Sequence, residues 1–367
     1  MIRVNIFGDI CLYGISRDNL LIDRKIAGLM DGAVNIGNLE CPITESQDKM
    51  PLQAINLKAS PKVAEKALNG FHALSLANNH IQNYRQSGID DTVEFLETHN
   101  FQYFGIENLP PPMLKSLRPV IISAGVMKIA VIGASRYDNV RKGKCAGTVN
   151  EQSPLVVKTI RQLKKNGHFV IVYPHWGYEY VRIPAPRERS LAHRFIDNGA
   201  DFVVGSHPHV FQGHEFYHQK QIYYSLGNYI FSHHCFEHLA AKPNDDRLWN
   251  SFFVELQIRE NNDYTVIPHF YTIESNDSVC KITLLNDASE MEAELEHVSG
   301  PLKDSYFRYW KKYYQQAVAI SRQNIKVRKN FQKVSERTLK EKMQIYFSFN
   351  SQDLRNRLAG LFSCLFK

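Results

Sequence analysis

Two imidazoles stand two residues apart, His207 and His209, with Pro208 between them and the apolar run Phe202-Val203-Val204 just ahead. In an extended chain, residues two apart face the same side, so both rings are expected to address one point at a strand end. An isolated pair of this kind is as often a surface or core feature as a ligand pair, and its company decides. Asp9 follows Val4-Asn5-Ile6-Phe7, Glu40 follows Val34-Asn35-Ile36, Asn79 and His80 follow Ala73-Leu74-Ser75-Leu76, and His175 follows Phe169-Val170-Ile171-Val172. Carboxylate, amide oxygen and imidazole together suit hard and borderline divalent cations. Asp9, Glu40, Asn79, His175, His207 and His209 are therefore the candidate metal ligands, gathered where an α/β fold collects its ligands, at the carboxyl ends of strands.

The elements that must hold them follow from periodicity. Strand-like runs recur at 2–7, 33–37, 73–77, 101–104, 119–123, 128–134, 169–174, 201–205 and 222–226, with helical patterns at 18–30, 61–69, 86–99, 153–166 and 187–198. Ile89, Val93 and Leu96 illustrate one helical face. Alternation of strand and helix over this length predicts a layered α/β domain. Further β-rich segments at 251–259, 264–273 and 279–285 are expected to add strands to it, giving one domain over residues 1–287.

The 367 residues are 44% hydrophobic and 22% charged, ordinary values for a globular chain. No apolar run spans a membrane and no signal-peptide pattern precedes the first strand, so the expected location is cytoplasmic. The six cysteines lack any CxxC or regular spacing, which suits reduced thiols. The formal charge of +7 is uneven. Residues 1–299 carry 29 Lys and Arg against 33 Asp and Glu, whereas residues 300–367 carry 15 against 4.

That basic segment, 288–367, is expected to be a helical extension. Tyr306, Trp310, Tyr313, Ala317 and Ile320 form one apolar stripe, and Leu354, Leu358, Leu361, Phe362 and Leu365 form another. Such stripes serve as core or partner-packing faces. The alternative is a peripheral attachment to an anionic membrane surface, since Arg355, Arg357 and Lys367 accompany the second stripe. No nucleic-acid reading motif is present.

Seven ordered segments resemble the CapA family of capsule and poly-γ-glutamate biosynthesis proteins. They are Gly8-Asp9, Asn38-Leu39-Glu40-Cys41-Pro42-Ile43-Thr44, Ala77-Asn78-Asn79-His80, His175-Trp176-Gly177-Tyr178-Glu179, Gly199-Ala200-Asp201, His207-Pro208-His209 and Tyr224-Ser225-Leu226-Gly227-Asn228-Tyr229-Ile230-Phe231. The likeness covers residues 1–235, and that family is similar in turn to calcineurin-like metallophosphoesterases. It implies an α/β, four-layer metallophosphoesterase-like β-sandwich flanked by helices, here with the C-terminal helical extension. It also implies two divalent metal ions (Mn, Fe or Zn), one held by Asp9, Glu40 and His209, the other by Glu40, Asn79, His175 and His207. Glu40 would stand where the superfamily has a bridging Asp, and His80 would be the acid serving the leaving group.

The activity so implied is metal-dependent hydrolysis, with a phosphoester the expected bond, of an anionic small-molecule or polymer substrate in surface-polymer synthesis. The alternative is a non-catalytic assembly or binding component of a polymer-synthesis machine, docked to protein or membrane through the basic tail. Two departures bear on the choice. Cys11 stands where metallophosphoesterases carry a His, leaving either a thiolate ligand or a thinner ligand set. Ser206 replaces a common His and is expected to cost a supporting contact. Asn228 lies in an ordinary turn signal, Gly227-Asn228, and is left out of the ligand set. Arg136, Arg141, Lys142 and Lys144 suggest either anion steering or a solvated loop.

Overall fold

In the run Met127–Ser135, Ile129 and Val131 face one way, Ala130, Ile132 and Ala134 the other, and all five are buried. A strand apolar on both faces must be covered on both, and this requirement generates the layers. The computed structural model describes residues 1–51, 55–107, 117–125, 127–136, 147–236, 246–303, 306–311 and 314–315. Along the chain run β1 (Ile2–Cys11), β2 (Leu20–Ile22), α1 (Arg24–Met30), β3 (Val34–Leu39), α2 (Pro61–Ala67), β4 (Ala73–Ser75), α3 (Arg85–Thr98) and β5 (Gln102–Phe104). β6 (Val120–Ala124), β7 (Met127–Ser135), α4 (Pro154–Lys165), β8 (Phe169–His175), α5 (Pro186–Asp197) and β9 (Phe202–Val204) follow. The described chain closes with β10 (His214–Tyr217), β11 (Lys220–Tyr223), β12 (Asn228–Phe231), β13 (Asn250–Ile258), β14 (Tyr264–Ser275), β15 (Cys280–Leu284) and α6 (Ser289–Lys303).

Two mixed sheets result. The first has the order β2-β15-β14-β13-β1-β3-β4-β5, with β12 also on β1, and the second has the order β10-β11-β9-β8-β7-β6. Val4, Ile6, Ile36 and Val254 from the first sheet meet Ile129, Val131, Phe169, Ile171 and Phe202 from the second in one core. The opposite face of the second sheet, with Val170, Val172 and Val203, packs on Val156 and Ile160 of α4 and on Leu191 and Phe195 of α5. α1 to α3 bury Ile26, Met30, Val63, Ala64, Ala67, Ile89, Phe95 and Leu96, and Phe71, which follows α2, packs on Phe7 of β1 at 5.1 Å. The layers are helix, sheet, sheet, helix.

Several elements differ from the sequence expectation. Residues 18–30 are not one helix: Leu20–Ile22 pairs in parallel with Cys280–Ile282 of β15, and the helix begins after Asp23, whose carboxylate accepts from the Lys25 N–H. β10 and β12 arise where none was expected. β12 continues the pairing of β1 beyond Ile6, where β13 leaves it, aligning Asn228 with Asp9. Gly8 permits that approach, since a Cβ there would lie 2.0 Å from the Gly227 carbonyl oxygen.

The expected division after residue 287 falls inside packed structure. Met291, Leu295 and Val298 of α6 enter the core between the sheets, Leu302 and Tyr306 enter the helix-side core, and the Tyr306 hydroxyl donates to the Pro184 carbonyl at 2.7 Å. Every described residue lies in the compact unit formed by Met1–His238 and Lys242–Ala317. Residues 318–367, with the second apolar stripe and most of the basic charge, lie outside the described residues, as do Tyr313, Ala317, Arg141, Lys142 and Lys144.

Candidate metal centre

Strands from both sheets deliver their carboxyl ends to one place. Asp9 lies near the end of β1, Glu40 just past β3, Asn79 in the turn after β4, His175 at the last position of β8, and His207 and His209 in the loop after β9. Asp9, Glu40, His175, His207 and His209 are all buried, and Asn79 and His80 are half-buried at the edge. Ligand atoms of Asp9, Glu40 and His209 lie within 4.8 Å of one another, as do those of Glu40, His175 and His207. Asn79 joins the second group, its Oδ1 2.9 Å from His175 Nε2. Glu40 belongs to both groups.

The imidazole orientations follow from their hydrogen-bond partners. Asn228 Nδ2 donates to the carbonyls of His209 and Leu248, so its Oδ1 is the acceptor for His209 Nδ1–H at 3.0 Å. The Nε2 lone pair of His209 then faces Glu40 Oε1 at 3.8 Å. His175 presents Nδ1 to Ser206 Oγ at 3.0 Å and Nε2 to Glu40 Oε1 at 3.3 Å and to His207 Nδ1 at 3.1 Å. The two HxH residues do not lie on a strand. Both take the left-handed region, φ 100° at His207 and 59° at His209, and this costly backbone, not strand alternation, brings both rings inward.

Asp9 is tied at both oxygens, accepting from Asn38 Nδ2 at 2.8 Å and from the His207 N–H at 2.9 Å. Neither oxygen of Glu40 accepts a hydrogen bond among the described residues, although the side chain is fully buried. Burial, with Asp9 and Glu179 nearby, pushes the Glu40 carboxyl well above its ordinary range, and burial raises Asp9 to about 7. Burial likewise drives His175 and His207 well below the ordinary imidazole value, with neighbouring imidazoles adding to it, and takes His209 down to about 3. The three imidazoles are thus held in the neutral form that can ligate a cation, and a cation beside the two carboxyls would reverse their upward shift and favour the ionised form. The orphaned Glu40 oxygens and the mixed O/N donors fit divalent cations.

Residues 22–233 match the family described as bacterial capsule synthesis protein PGA_cap. The chain belongs to the PGA_cap family. It is 31% identical over 210 residues to the capsule biosynthesis protein CapA of Bacillus anthracis, covering 53% of this chain and 49% of that one. It is 31% identical over 199 residues to the PGA biosynthesis protein CapA of Bacillus subtilis (strain 168), covering 53% and 52%. A probable polyglutamine synthesis accessory protein of Mycobacterium tuberculosis is 29% identical over 175 residues, covering 43% and 45%. The chain spans about half the length of these relatives. Among solved structures, TT1561 of Thermus thermophilus aligns over 73% of this chain and 98% of its own at 8% identity and a TM-score of 0.38. Vps29 of Chaetomium thermophilum aligns over 77% and 94% at 7% and 0.29.

Within this PGA_cap chain the departures noted in the sequence have a structural outcome. The register of β1 against β12 shifts between Asp9 and Ile10, where β12 carries the extra residue, Tyr229. Cys11 Sγ lies 3.4 Å from Cys235 Sγ, and burial raises that thiol well above its ordinary value, so it is a neutral thiol outside both ligand groups. Ser206 does not cost a contact; it supplies one, to His175. Asn228 and Asn38, omitted from the expected set, orient His209 and Asp9. The parallel pairing that aligns Asn228 with Asp9 is the signal that identifies it, and it is visible only once β12 is placed.

Proposed function

We propose that this PGA_cap chain is a metal-dependent hydrolase with two cation positions sharing Glu40, acting on a phosphoester of an anionic substrate in capsule or poly-γ-glutamate synthesis. The observation that carries the reading is the fully buried Glu40 carboxylate, orphaned at both oxygens, standing between two ligand groups. The names of the CapA relatives support the polymer context. Bound cations would supply acidification of a water and neutralisation of ester oxygens.

The chain's own residues do the rest. His209 is held by Asn228 and His175 by Ser206, each presenting Nε2 to the Glu40 side. Asn83 Oδ1 accepts from the Leu57 N–H at 2.8 Å and lies 2.9 Å from His80 Nδ1, so His80 donates through Nδ1 and keeps Nε2 for a proton. At the half-buried edge, His80 is the residue assigned to protonate the leaving oxygen. Arg136, with its guanidinium 4.3 Å above the Tyr178 ring and its NH1 donating to the Gly177 carbonyl, adds positive charge felt at His207 and favours an anionic substrate.

A second reading, a non-catalytic accessory component, is favoured by the mycobacterial relatives, which are named as probable polyglutamine synthesis accessory proteins. A phosphomonoester and phosphodiester screen with added Mn²⁺, Fe²⁺ or Zn²⁺ separates the two. Hydrolysis by wild type that falls about 100-fold in His80→Ala while metal content is retained supports the enzyme. No hydrolysis of any ester by metal-loaded wild type supports the accessory component.

A further inference from the structure

A third group of metal-ligating side chains lies apart from the buried centre: His233, His234 and Asp277, whose ligand atoms all fall within 4.8 Å of one another. His233 and His234 begin the short 3-10 turn His233–Phe236, and Asp277 lies in the turn between β14 and β15. We propose that these three residues form a separate, solvent-facing site for a borderline divalent cation of the Zn²⁺ class.

The geometry is built from both sides. Ser275 Oγ accepts from the His233 N–H at 3.0 Å and lies 3.2 Å from His233 Nδ1, turning Nε2 toward Asp277 Oδ1 at 2.9 Å. The His234 ring lies beside it, centroids 3.9 Å apart, with Nε2 4.0 Å from the same carboxylate oxygen. Room for that second ring comes from the loop after β1. Gly14 has φ +73°, and a Cβ there would lie 2.5 Å from His234 Cδ2, so any other residue would push the ring away. The Asp277 turn is fixed in turn by Asn276 Oδ1, which accepts from the Ser278 and Val279 N–H groups, and by Asn19, whose carbonyl accepts from the Cys280 N–H.

Two imidazoles and one carboxylate select a borderline cation over Mg²⁺ or Ca²⁺, and solvent completes a four-coordinate shell around three protein ligands. Asp277 is exposed, so the site exchanges with solvent, unlike the buried centre. Its occupant would tie the His233–Phe236 turn to the β14–β15 turn. The His233–Phe236 turn carries Phe236, which packs edge-on against His209, with ring centroids 6.5 Å apart. The outer site thus braces a wall of the inner one.

The test is a Zn²⁺ titration of the full chain by calorimetry, with elemental analysis after gel filtration, for wild type, Asp277→Asn, His234→Ala and Gly14→Ala. Circular dichroism establishes that each variant is folded. The expected result is one equivalent fewer in Asp277→Asn and His234→Ala, and an affinity for that equivalent about tenfold weaker in Gly14→Ala. Unchanged stoichiometry and affinity in Asp277→Asn and His234→Ala would overturn the site and leave the buried centre untouched. A single equivalent in wild type, abolished by Asp277→Asn, would uphold the outer site and defeat the paired-cation reading.

Discussion

At the residue scale, the centre is a balance between ligands and the amides that aim them. Asn228 hydrogen-bonds His209 Nδ1 and so fixes which nitrogen of that ring faces Glu40. Asn228→Leu should therefore weaken cation binding by about 10- to 100-fold while leaving the fold intact, as measured by competition with a chelating dye. Glu40 offers the opposite sign. In a chelated sample its buried, orphaned carboxylate opposes folding, so Glu40→Met should raise unfolding stability by about 1–3 kcal/mol in urea melts with EDTA present, and lower it relative to wild type once cations are restored. The ligand types were legible in the sequence because each follows an apolar run. Their supports were not: Asn228, Asn38 and Ser206 gain meaning only through contacts 19 to 137 residues distant in sequence.

At the element scale, local periodicity located most helices and strands, since an amphipathic period is a local property. What it missed depends on distant pairing. Leu20–Ile22 is a strand only because β15 lies beside it, and β12 only because β1 outruns β13. α6 was legible as a helix but not as part of the core, which depends on where its stripe lands. Leu295→Ala should cost about 2–5 kcal/mol, read as a lower urea midpoint, because Leu295 is buried in the core between the sheets. The α5–β10 contact is ionic. Burial raises the Glu215 carboxyl, and hydrogen bonds from His193, Arg189 and Tyr224 more than offset it, holding the group at about 2 against an ordinary 4.5. A depressed carboxyl stabilises the fold fully above pH 4.5 and loses that contribution as pH falls toward 2. Glu215→Gln should therefore be destabilised by about 2 kcal/mol at pH 7, after discounting for solvent screening. The gap to wild type should shrink between pH 4.5 and 2 in chemical melts.

At the scale of the whole molecule, two sheets converge so that β1, β3, β4 and β12 from one and β8 and β9 from the other deliver polar ends to a single buried point. Such a group, dominated by carboxyls that resist ionising and imidazoles that resist protonation, is costly to maintain without a cation. No described helix is long and apolar enough to cross a membrane. The family's description names capsule synthesis, and the proposed chemistry rests on Glu40, which would join two cation positions. It is put to the proof by elemental analysis of chain carrying Asp277→Asn, which removes the outer site from the count, after reloading with Mn²⁺, Fe²⁺ or Zn²⁺ and desalting. About two ions per chain are expected, and fewer than about one when Glu40→Gln is added. Fewer than about one ion per chain with Glu40 intact would refute the shared-carboxylate centre.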